Sequence, residues 1–355
     1  MDSLPLIVLF AIFLAAALAV WVAGIKLSET TDVLAMRLGL GAALGGLILL
    51  AIATNLPEIA IVVTASLAGH LGIAIGNILG GIAIQTVVLV VLDVFGVKGE
   101  RPLTYVSASL AIVLEAVLVI GVLVTVVMGS RLPSEFTFGR VEPGAVLVVL
   151  VWAVGLWLLG RARRGLPWHE AGEAPENQPE PRGHSQAKTE KRASESGVST
   201  GRAVGVFGTA AAVTLAGGVL LAQSGEAIAG RIGMSGVLFG STVLAAATAL
   251  PEVSTGLASV RMKDYQLAMS DIFGGNAFLP VLFLVGNLLS GRAVLPQARS
   301  TDIYLTALGA LLTGVYVFGL VFRGGRRIGR MGLDSLVVLV LYLVGIGGLV
   351  AIATQ

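Results

Sequence analysis

The sequence predicts an all-α, polytopic membrane protein whose ten transmembrane helices form two inverted five-helix repeats. Three observations support this fold class. The chain has 355 residues, of which 56% are hydrophobic and only 12% are charged, and its mean hydropathy is +0.93. Soluble domains carry about 25% charged residues, so this chain has too few charges to cover a soluble surface. Its charges cluster between long apolar runs, and its second half repeats its first.

Ten stretches are long and apolar enough to span a bilayer, which takes about 20 residues. The first five cover residues 5–26, 39–68, 71–96, 103–128 and 142–160, and the second five cover residues 203–223, 234–260, 264–290, 303–322 and 333–353. Pro57 and Pro251 interrupt the second and the seventh stretch, which are both long. Residues 5–26 lack a basic leader and a small-residue cleavage site, so we expect a retained helix rather than a signal peptide.

The repeat is visible at a fixed offset of 194 positions, which separates Glu58 from Glu252. The same offset aligns Arg37 with Arg231, Gly39 with Gly233, Gly46 with Gly240, Thr54 with Thr248, Ala74 with Ala268, Gly80 with Gly274, Gly81 with Gly275, and Ala83 with Ala277. Matches over nearly fifty ungapped positions indicate an internal duplication. Because each copy has an odd number of spans, the copies (residues 1–160 and 203–355) are expected to lie in opposite orientations across the bilayer.

Residues 161–202 separate the two copies. The run from Glu170 to His184 is polar and rich in proline. A segment with so little to bury is expected to be disordered. We interpret it as a cytoplasmic linker that tethers the repeats; a regulatory ion-binding or partner-binding role is the alternative, although no ligand pattern supports it.

The basic residues predict the orientation, because cytoplasmic loops are enriched in Lys and Arg. With the N-terminus outside, 18 Lys and Arg residues fall on the inner side and 5 on the outer side. We therefore expect an integral protein of the plasma membrane with its N-terminus and C-terminus outside. The lipid bilayer and inorganic cations are its expected partners, nucleic acid is not, and the sequence leaves a homo-oligomer open.

Each copy places a carboxylate directly after a proline inside an apolar run, in Ala53-Thr-Asn-Leu-Pro-Glu58 and Ala247-Thr-Ala-Leu-Pro-Glu252. An ionised carboxylate at membrane depth costs several kcal/mol, so two at equivalent positions indicate a function. Proline leaves the carbonyl four residues earlier without its amide partner, and these carbonyls are those of Ala53 and Ala247. Thr54 and Thr248 lie one helical turn before the acids, on the same face.

These groups predict a site made only of oxygen ligands, which suits hard cations such as Ca²⁺, Na⁺ or Mg²⁺ rather than Zn²⁺. Inverted repeats with broken helices are expected to form an ion site near the bilayer midplane. Two facing carboxylates would balance one divalent ion, and monovalent ions or protons would have to replace it, as in an exchanger. The alternative is a pair of neutral glutamic acids that are hydrogen-bonded between helices.

The next helix of each copy carries paired glycines, in Gly76-Asn77-Ile-Leu-Gly-Gly81 and Ser270-Asp271-Ile-Phe-Gly-Gly275. Such glycines let helix backbones approach closely, so these helices are expected to pack against the broken ones. Asn77 and Asp271 are equivalent positions that are candidates to bind the ion or to hydrogen-bond near it. For Asn77, a packing role is an equally good interpretation.

The pattern Thr-x-Leu-Pro-Glu, followed after roughly twenty residues by Gly-Asn-x-x-Gly-x, resembles the repeats of the calcium/cation antiporter superfamily, which includes the sodium/calcium exchangers. The segments Ala35-Met-Arg-Leu-Gly39 and Ala229-Gly-Arg-Ile-Gly233 also match each other. The resemblance implies a secondary Ca²⁺/cation antiporter that works by alternating access. It implies that Glu58 and Glu252 bind Ca²⁺ and Na⁺ in turn, with Thr54 and Thr248 beside them.

The chain also departs from that family pattern. Asn55 and Ala249 stand where the family has serine after the threonine, and Gly81 and Gly275 replace a second serine. The family's first asparagine is Ile82, while Asn276 is retained, and the closing polar position is Gln85 in one copy and Leu279 in the other. Several oxygen ligands that favour Na⁺ are therefore missing, so H⁺/Ca²⁺ exchange and a non-transporting, ion-binding relative are the alternatives.

Other sites that the sequence offers are weaker. The chain has no cysteine, which excludes disulfides and thiolate chemistry. It shows no Walker motif and no nucleophile–base pair, so we expect neither an ATP-driven pump nor an enzyme, and no cofactor. Glu115 in the fourth span is interpreted as a packing acid, with a proton relay as the alternative. His70 in an outer turn is interpreted as solvated, with gating or pH sensing as the alternative.

Overall fold

A computed structural model describes residues 1, 4–37, 51–98, 101–162, 199–234, 236–261 and 263–353. The described part of the first half contains α1 (Leu6–Arg37), a helical segment at 51–54, α2 (Leu56–Ala68), α3 (Leu71–Val91) with a π-helical continuation (Leu92–Gly96), α4 (Leu103–Ser107), α5 (Leu110–Gly129) and α6 (Pro143–Ala162). Nearly all of these residues are helical, as the apolar composition predicts.

The second half follows the same order. It contains α7 (Thr200–Arg231), α8 (Gly236–Phe239), a π-helical turn (Gly240–Leu244), α9 (Ala245–Thr248), α10 (Leu250–Arg261), α11 (Tyr265–Phe278), α12 (Leu282–Ser290), α13 (Ser300–Phe322) and α14 (Leu333–Ala353). Short 3₁₀ turns occur at Leu279–Val281 and Leu295–Gln297, and β1 (Arg327–Ile328) pairs with β2 (Met331–Gly332) in an antiparallel hairpin.

The predicted polytopic membrane protein is confirmed. Eight of the described helices are long and apolar enough to cross a membrane, or nine if the bent pair Gly240–Thr248 and Leu250–Arg261 is one span. The count of ten is not established, because the second predicted span (39–68) begins in residues 38–50, which lie outside the described residues. Most of the predicted linker also lies outside them, at 163–198.

Several boundaries differ from the sequence prediction. Both α1 and α7 have 32 residues and continue well beyond predicted residues 26 and 223. The fourth predicted span is divided before α5, because the Ser109 hydroxyl caps that helix by accepting a hydrogen bond from the Ile112 amide. The eighth is divided at Pro280, which lacks the amide hydrogen that helix continuation requires.

The two long helices α1 and α7 are repeat equivalents that pack along each other. Each one also contacts the broken helix of the other repeat through a glycine. A Cβ on Gly24 would lie 2.8 Å from Cβ of Pro251, and a Cβ on Gly218 would lie 2.9 Å from the carbonyl oxygen of Pro57. Gly24 and Gly218 are themselves 194 positions apart, so the contact obeys the internal symmetry.

One end of the helical bundle, which we call the basic end, is formed by the loops around Val97, Arg101 and the β-hairpin. Arg327 donates hydrogen bonds to the carbonyl oxygens of Asp93 (3.0 Å) and Val97 (3.3 Å). Arg323 donates to the carbonyl oxygen of Tyr105 (3.2 Å). The end of α10 lies here too, because a Cβ on Gly96 would lie 2.9 Å from Val260.

The other end, which we call the opposite end, joins the last turn of α2 to the loops before α6 and α13. Buried Glu142 accepts hydrogen bonds from the amides of Val294 (2.8 Å) and Leu295 (3.2 Å). His70 pairs with Glu226 of α7 at 3.0 Å. α2 therefore runs from the middle of the bundle to the opposite end, whereas α10 runs from the middle to the basic end.

Candidate cation-binding site

Two equivalent breaks in the helical backbone organise the centre of the molecule. Asn55 and Ala249 each end a short helical segment, and Pro57 and Pro251 stand in the first turn of the following helix. The second break bends the chain by 46°. Since proline has no amide hydrogen, the carbonyl oxygens of Ala53 and Ala247 lose their helical partners. Both alanines are buried in the last turn before the break.

Each break places a glutamate in the first turn of a new helix. The free amide groups and the helix dipole at such a helix start stabilise negative charge. Glu58 and Glu252 are both fully buried, at 0% exposure. They are close enough for their carboxylates to repel each other. A cation that lies between two such carboxylates stabilises them, because it offsets their mutual repulsion.

Each carboxylate meets the threonine of the other repeat. The Thr248 hydroxyl lies beside the Glu58 carboxylate, and the Thr54 hydroxyl lies beside the Glu252 carboxylate. The same hydroxyls lie 3.3 Å and 3.2 Å from the main-chain oxygens of Ala51 and Ala245. A threonine hydroxyl can donate one hydrogen bond and can accept others through its lone pairs, so it can serve as a donor to a carboxylate or as a ligand of a cation. The crossed arrangement thus brings together all four residues that the repeat motif predicted.

Gln85 links the two broken helices. Its side-chain amide nitrogen lies 3.3 Å from Oε1 of Glu252 and 3.3 Å from Oδ1 of Asn55. Asn55 in turn donates to the Ala51 carbonyl oxygen at 2.6 Å. A Cβ on Gly275 would lie 2.9 Å from the Asn55 amide nitrogen, so a serine there would crowd Asn55. The two departures from the family pattern, Asn55 and Gly275, are therefore sterically coupled.

Asn276 lies against the equivalent helix of the first repeat. Its amide nitrogen donates to the Thr86 hydroxyl oxygen (3.1 Å) and to the Ile82 carbonyl oxygen (3.4 Å). Thr86 is fully buried and was not among the residues predicted from sequence. The signal for it was weak, since it is one more hydroxyl in an apolar helix next to Gln85. Asn276 is thus placed to hold two helices together beside the pair of acids.

Asp271 and Asn77 lie on different sides of the glutamate pair. Asp271 is two turns into α11 from the basic end, and Asn77 is two turns into α3 from the opposite end. Asp271 Oδ2 accepts a hydrogen bond of 2.7 Å from the Thr255 hydroxyl, and its charge acts on Glu252. Thr255 was also missed, although it follows Glu252 by three positions on the same helix face.

Many buried polar atoms around this centre have no hydrogen bond of good geometry within the described part of the chain. They are both oxygens of Glu58, Oε2 of Glu252, Oε1 of Gln85, Oδ1 of Asp271, Oδ1 of Asn276, and both polar atoms of Asn77. Each such group is costly to bury, at about 1–3 kcal/mol or more. All but one of these atoms are oxygens, the kind of ligand that a hard cation binds.

The donor set also limits the kind of metal. Among the described residues, no three His, Cys, Asp or Glu side chains converge as a metal cluster. A cation here would be held by two carboxylates and by neutral oxygens, which does not fit Zn²⁺. Glu115 is buried in α5, and His70 is about half exposed in its pair with Glu226.

The chain matches one protein family over most of its length. A family model described as "Sodium/calcium exchanger protein" matches residues 8–160 and 202–350, which include both broken helices. The chain is also similar to inner membrane protein YrbG of Escherichia coli (strain K12). The two are 25% identical over 307 residues, which are 86% of this chain and 87% of that protein.

Two solved structures share the fold. The H⁺/Ca²⁺ exchanger CAX matches with a TM-score of 0.67 and 14% identity, over 97% of this chain and 85% of that one. The sodium-calcium exchanger NCX_Mj, soaked with 100 mM Na⁺ and 10 mM Sr²⁺, matches with a TM-score of 0.58 and 16% identity, over 97% of this chain and 99% of that one. At such low identities the likeness concerns the fold alone.

Proposed function

Because this chain belongs to the sodium/calcium exchanger protein family, we propose that it is a secondary antiporter that moves Ca²⁺ across the membrane in exchange for Na⁺ or H⁺. The family consists of transporters rather than catalytic enzymes. The observation that carries the proposal is the crossed pair of buried acids, in which Glu58 meets Thr248 and Glu252 meets Thr54.

On this proposal, the charges of the pair make exchange obligatory. Two ionised carboxylates balance one divalent ion at the centre of the bundle. Without that ion, two negative charges would be left in a medium where each costs several kcal/mol. The site therefore returns across the membrane only when monovalent cations or protons replace Ca²⁺. No resident cofactor enters this mechanism, because the cations are the cargo.

The opposite directions of the broken helices support alternating access. α2 runs from Glu58 to the opposite end, and α10 runs from Glu252 to the basic end. Movement of the helices α1 and α7, which touch the two break prolines, would open one side of the site while the other side stays closed. The pair of acids then becomes accessible from each face of the membrane in turn.

The proposal also concerns which cation is exchanged for Ca²⁺. Asn55, Ala249 and Gly275 stand where the family pattern has serine hydroxyls, so three neutral hydroxyl oxygens are missing from the centre. The side-chain nitrogen of Gln85 donates to Glu252. Na⁺ needs several neutral oxygens, whereas H⁺ needs only a carboxylate. Na⁺/Ca²⁺ exchange is the first candidate function, and these residues support H⁺/Ca²⁺ exchange as the second. A relative that binds ions without transport is the remaining alternative.

The basic end is proposed to face the cytoplasm. It carries Lys98, Arg101, Arg261, Lys263, Arg326 and Arg330, and such residues concentrate on the cytoplasmic side. The protein would then lie in the plasma membrane with both termini outside. Lipid surrounds it, as the exposed apolar side chains of Leu14, Leu18 and Val344 indicate.

Radiolabelled Ca²⁺ uptake into reconstituted vesicles tests the function. An imposed Na⁺ gradient is applied first and a proton gradient alone second, so the driving ion identifies the coupling. Glu58→Gln and Glu252→Gln are expected to abolish uptake, whereas Glu135→Gln, at an exposed loop residue, keeps it. Full uptake in either central variant, or no uptake by the wild-type protein under both gradients, would overturn the proposal.

A further inference from the structure

The two sides of the glutamate pair differ in polarity. Four pairs of equivalent positions near the acids show the difference. On the side of the opposite end they are Ala60, Ile61, Gly76 and Asn77, and on the side of the basic end they are, in the same order, Ser254, Thr255, Ser270 and Asp271. At each of these positions the second repeat carries the more polar residue. Polar residues return farther along α2, at Thr64 and Ser66, so the difference is confined to the turn beside the acids.

Thr255 and Asp271 are in direct contact. The Thr255 hydroxyl lies 2.7 Å from Oδ2 of Asp271 and 3.2 Å from the carbonyl oxygen of Glu252. Asp271 is only 3% exposed, and its Oδ1 has no hydrogen bond within the part of the chain that the structure describes. The corresponding positions of the first repeat, Ile61 and Asn77, supply no hydroxyl and no charge. At these equivalent positions, which the structure describes in both repeats, a third carboxylate stands on the basic-end side of the pair and not on the other side.

The positive charge at the basic end suggests what the carboxylate on that side does. A cation that enters from the basic end passes several lysines and arginines, which repel it. A carboxylate just inside that end offsets the repulsion. One helical turn, about 5.4 Å, separates the level of Glu252 from that of Thr255 and Asp271, so a cation moving between them never leaves the range of a carboxylate.

We propose that Asp271 and Thr255 form a staging site for the transported cation on the basic-end side of Glu58 and Glu252. The ligand is a hard cation, Ca²⁺ above all, held by the Asp271 carboxylate and the lone pairs of the Thr255 hydroxyl. The equivalent position on the opposite side carries the neutral amide of Asn77 in place of a carboxylate. This inference rests on the proposed function, since it concerns the path to the same central pair.

A staging site and a packing acid have different consequences for the two membrane faces. If Asp271 only packs against Thr255, its removal weakens the fold and affects both faces alike. If it stages the cation, its removal raises the Ca²⁺ concentration needed at the basic end alone. Sidedness is therefore the measurement that separates the two roles.

The test is half-saturating Ca²⁺ for transport, measured at each face in vesicles of known orientation. Asp271→Asn and Thr255→Ile install the residues of the first repeat. Each is expected to raise the half-saturating Ca²⁺ at the basic end, Asp271→Asn by about tenfold, with the value at the opposite end changed less than about twofold. Asn77→Asp, the mirror variant, is expected to lower the value at the opposite end.

Equal shifts at both faces, or no shift in Asp271→Asn and Thr255→Ile, would overturn the staging site. An Asn77→Asp variant without effect at the opposite end would also contradict it. Elution as a single species and an unchanged melting temperature identify variants that are folded. If Asp271→Asn does not fold, Thr255→Ile still tests the staging site. Failure of the proposed function gives a different result, because the wild-type protein would then show no driven uptake at either face.

Discussion

The side-chain amide of Asn276 donates a hydrogen bond to the main-chain oxygen of Ile82, which is its own counterpart in the other repeat. Equivalent residues of two related halves come into contact only near the axis that relates them. The pseudo-twofold axis therefore passes between α3 and α11 at this level. Glu58 and Glu252, which also correspond to each other, lie close to the same axis, and this is why one ion can be shared by both repeats.

Gln85→Leu tests whether the amide of Gln85 positions the Glu252 carboxylate. Leucine is the residue at the equivalent position, Leu279, so the substitution is compatible with this helix. We expect the half-saturating Ca²⁺ for transport to rise by about tenfold or more, because a hydrogen bond to a charged group contributes about 1.5–3 kcal/mol and each 1.4 kcal/mol is about tenfold. Thr209→Val at an exposed position of α7 is the control. An unchanged Ca²⁺ dependence would contradict the role.

Gly80→Ala tests the close packing of α3 on the π-helical turn before the second break. A Cβ on Gly80 would lie 2.3 Å from Cα of Ser241, whereas a Cβ on Gly72 of the same helix would meet nothing within 4 Å. We expect Gly80→Ala to destabilise the protein by about 1–3 kcal/mol and Gly72→Ala to cause no loss. Melting temperatures in detergent measure both. Equal melting temperatures of the two variants would show that this contact does not matter.

Gly218→Ala tests the contact between α7 and the first break. The added methyl group would press on the carbonyl oxygen of Pro57 and displace the turn that carries Glu58. We expect slower Ca²⁺ uptake and a lower melting temperature. Gly208→Ala on the same helix has open space around the new methyl group and is expected to behave as the wild-type protein does. Matching uptake rates in both variants would argue against the contact.

The sequence predicted the repeat, the broken helices and the central acids, because these follow from a fixed offset, from proline chemistry and from the cost of buried charge. It did not predict Thr86 or Thr255, since a hydroxyl in a helix shows its partner only after the helices pack. The π-helical turns at Leu92–Gly96 and Gly240–Leu244 were also missed.

The lengths of α1 and α7 were underestimated for a different physical reason. The polar residues from Gln223 onward ended the apolar run, yet the helix continues to Arg231. Beyond the apolar layer a helix can present polar side chains to water, and Glu226 does so in its pair with His70. An apolar run therefore measures the thickness of the membrane rather than the length of the helix.

The central claim is that Glu58 and Glu252 share one ion. Equilibrium dialysis of the purified protein against radiolabelled Ca²⁺ tests it most directly, with Glu58→Gln and Glu252→Gln measured beside the wild-type protein and the exposed control Glu135→Gln. The account predicts one Ca²⁺ per wild-type chain and loss of that binding in either central variant alone. Retention of full binding by either Glu58→Gln or Glu252→Gln would contradict it.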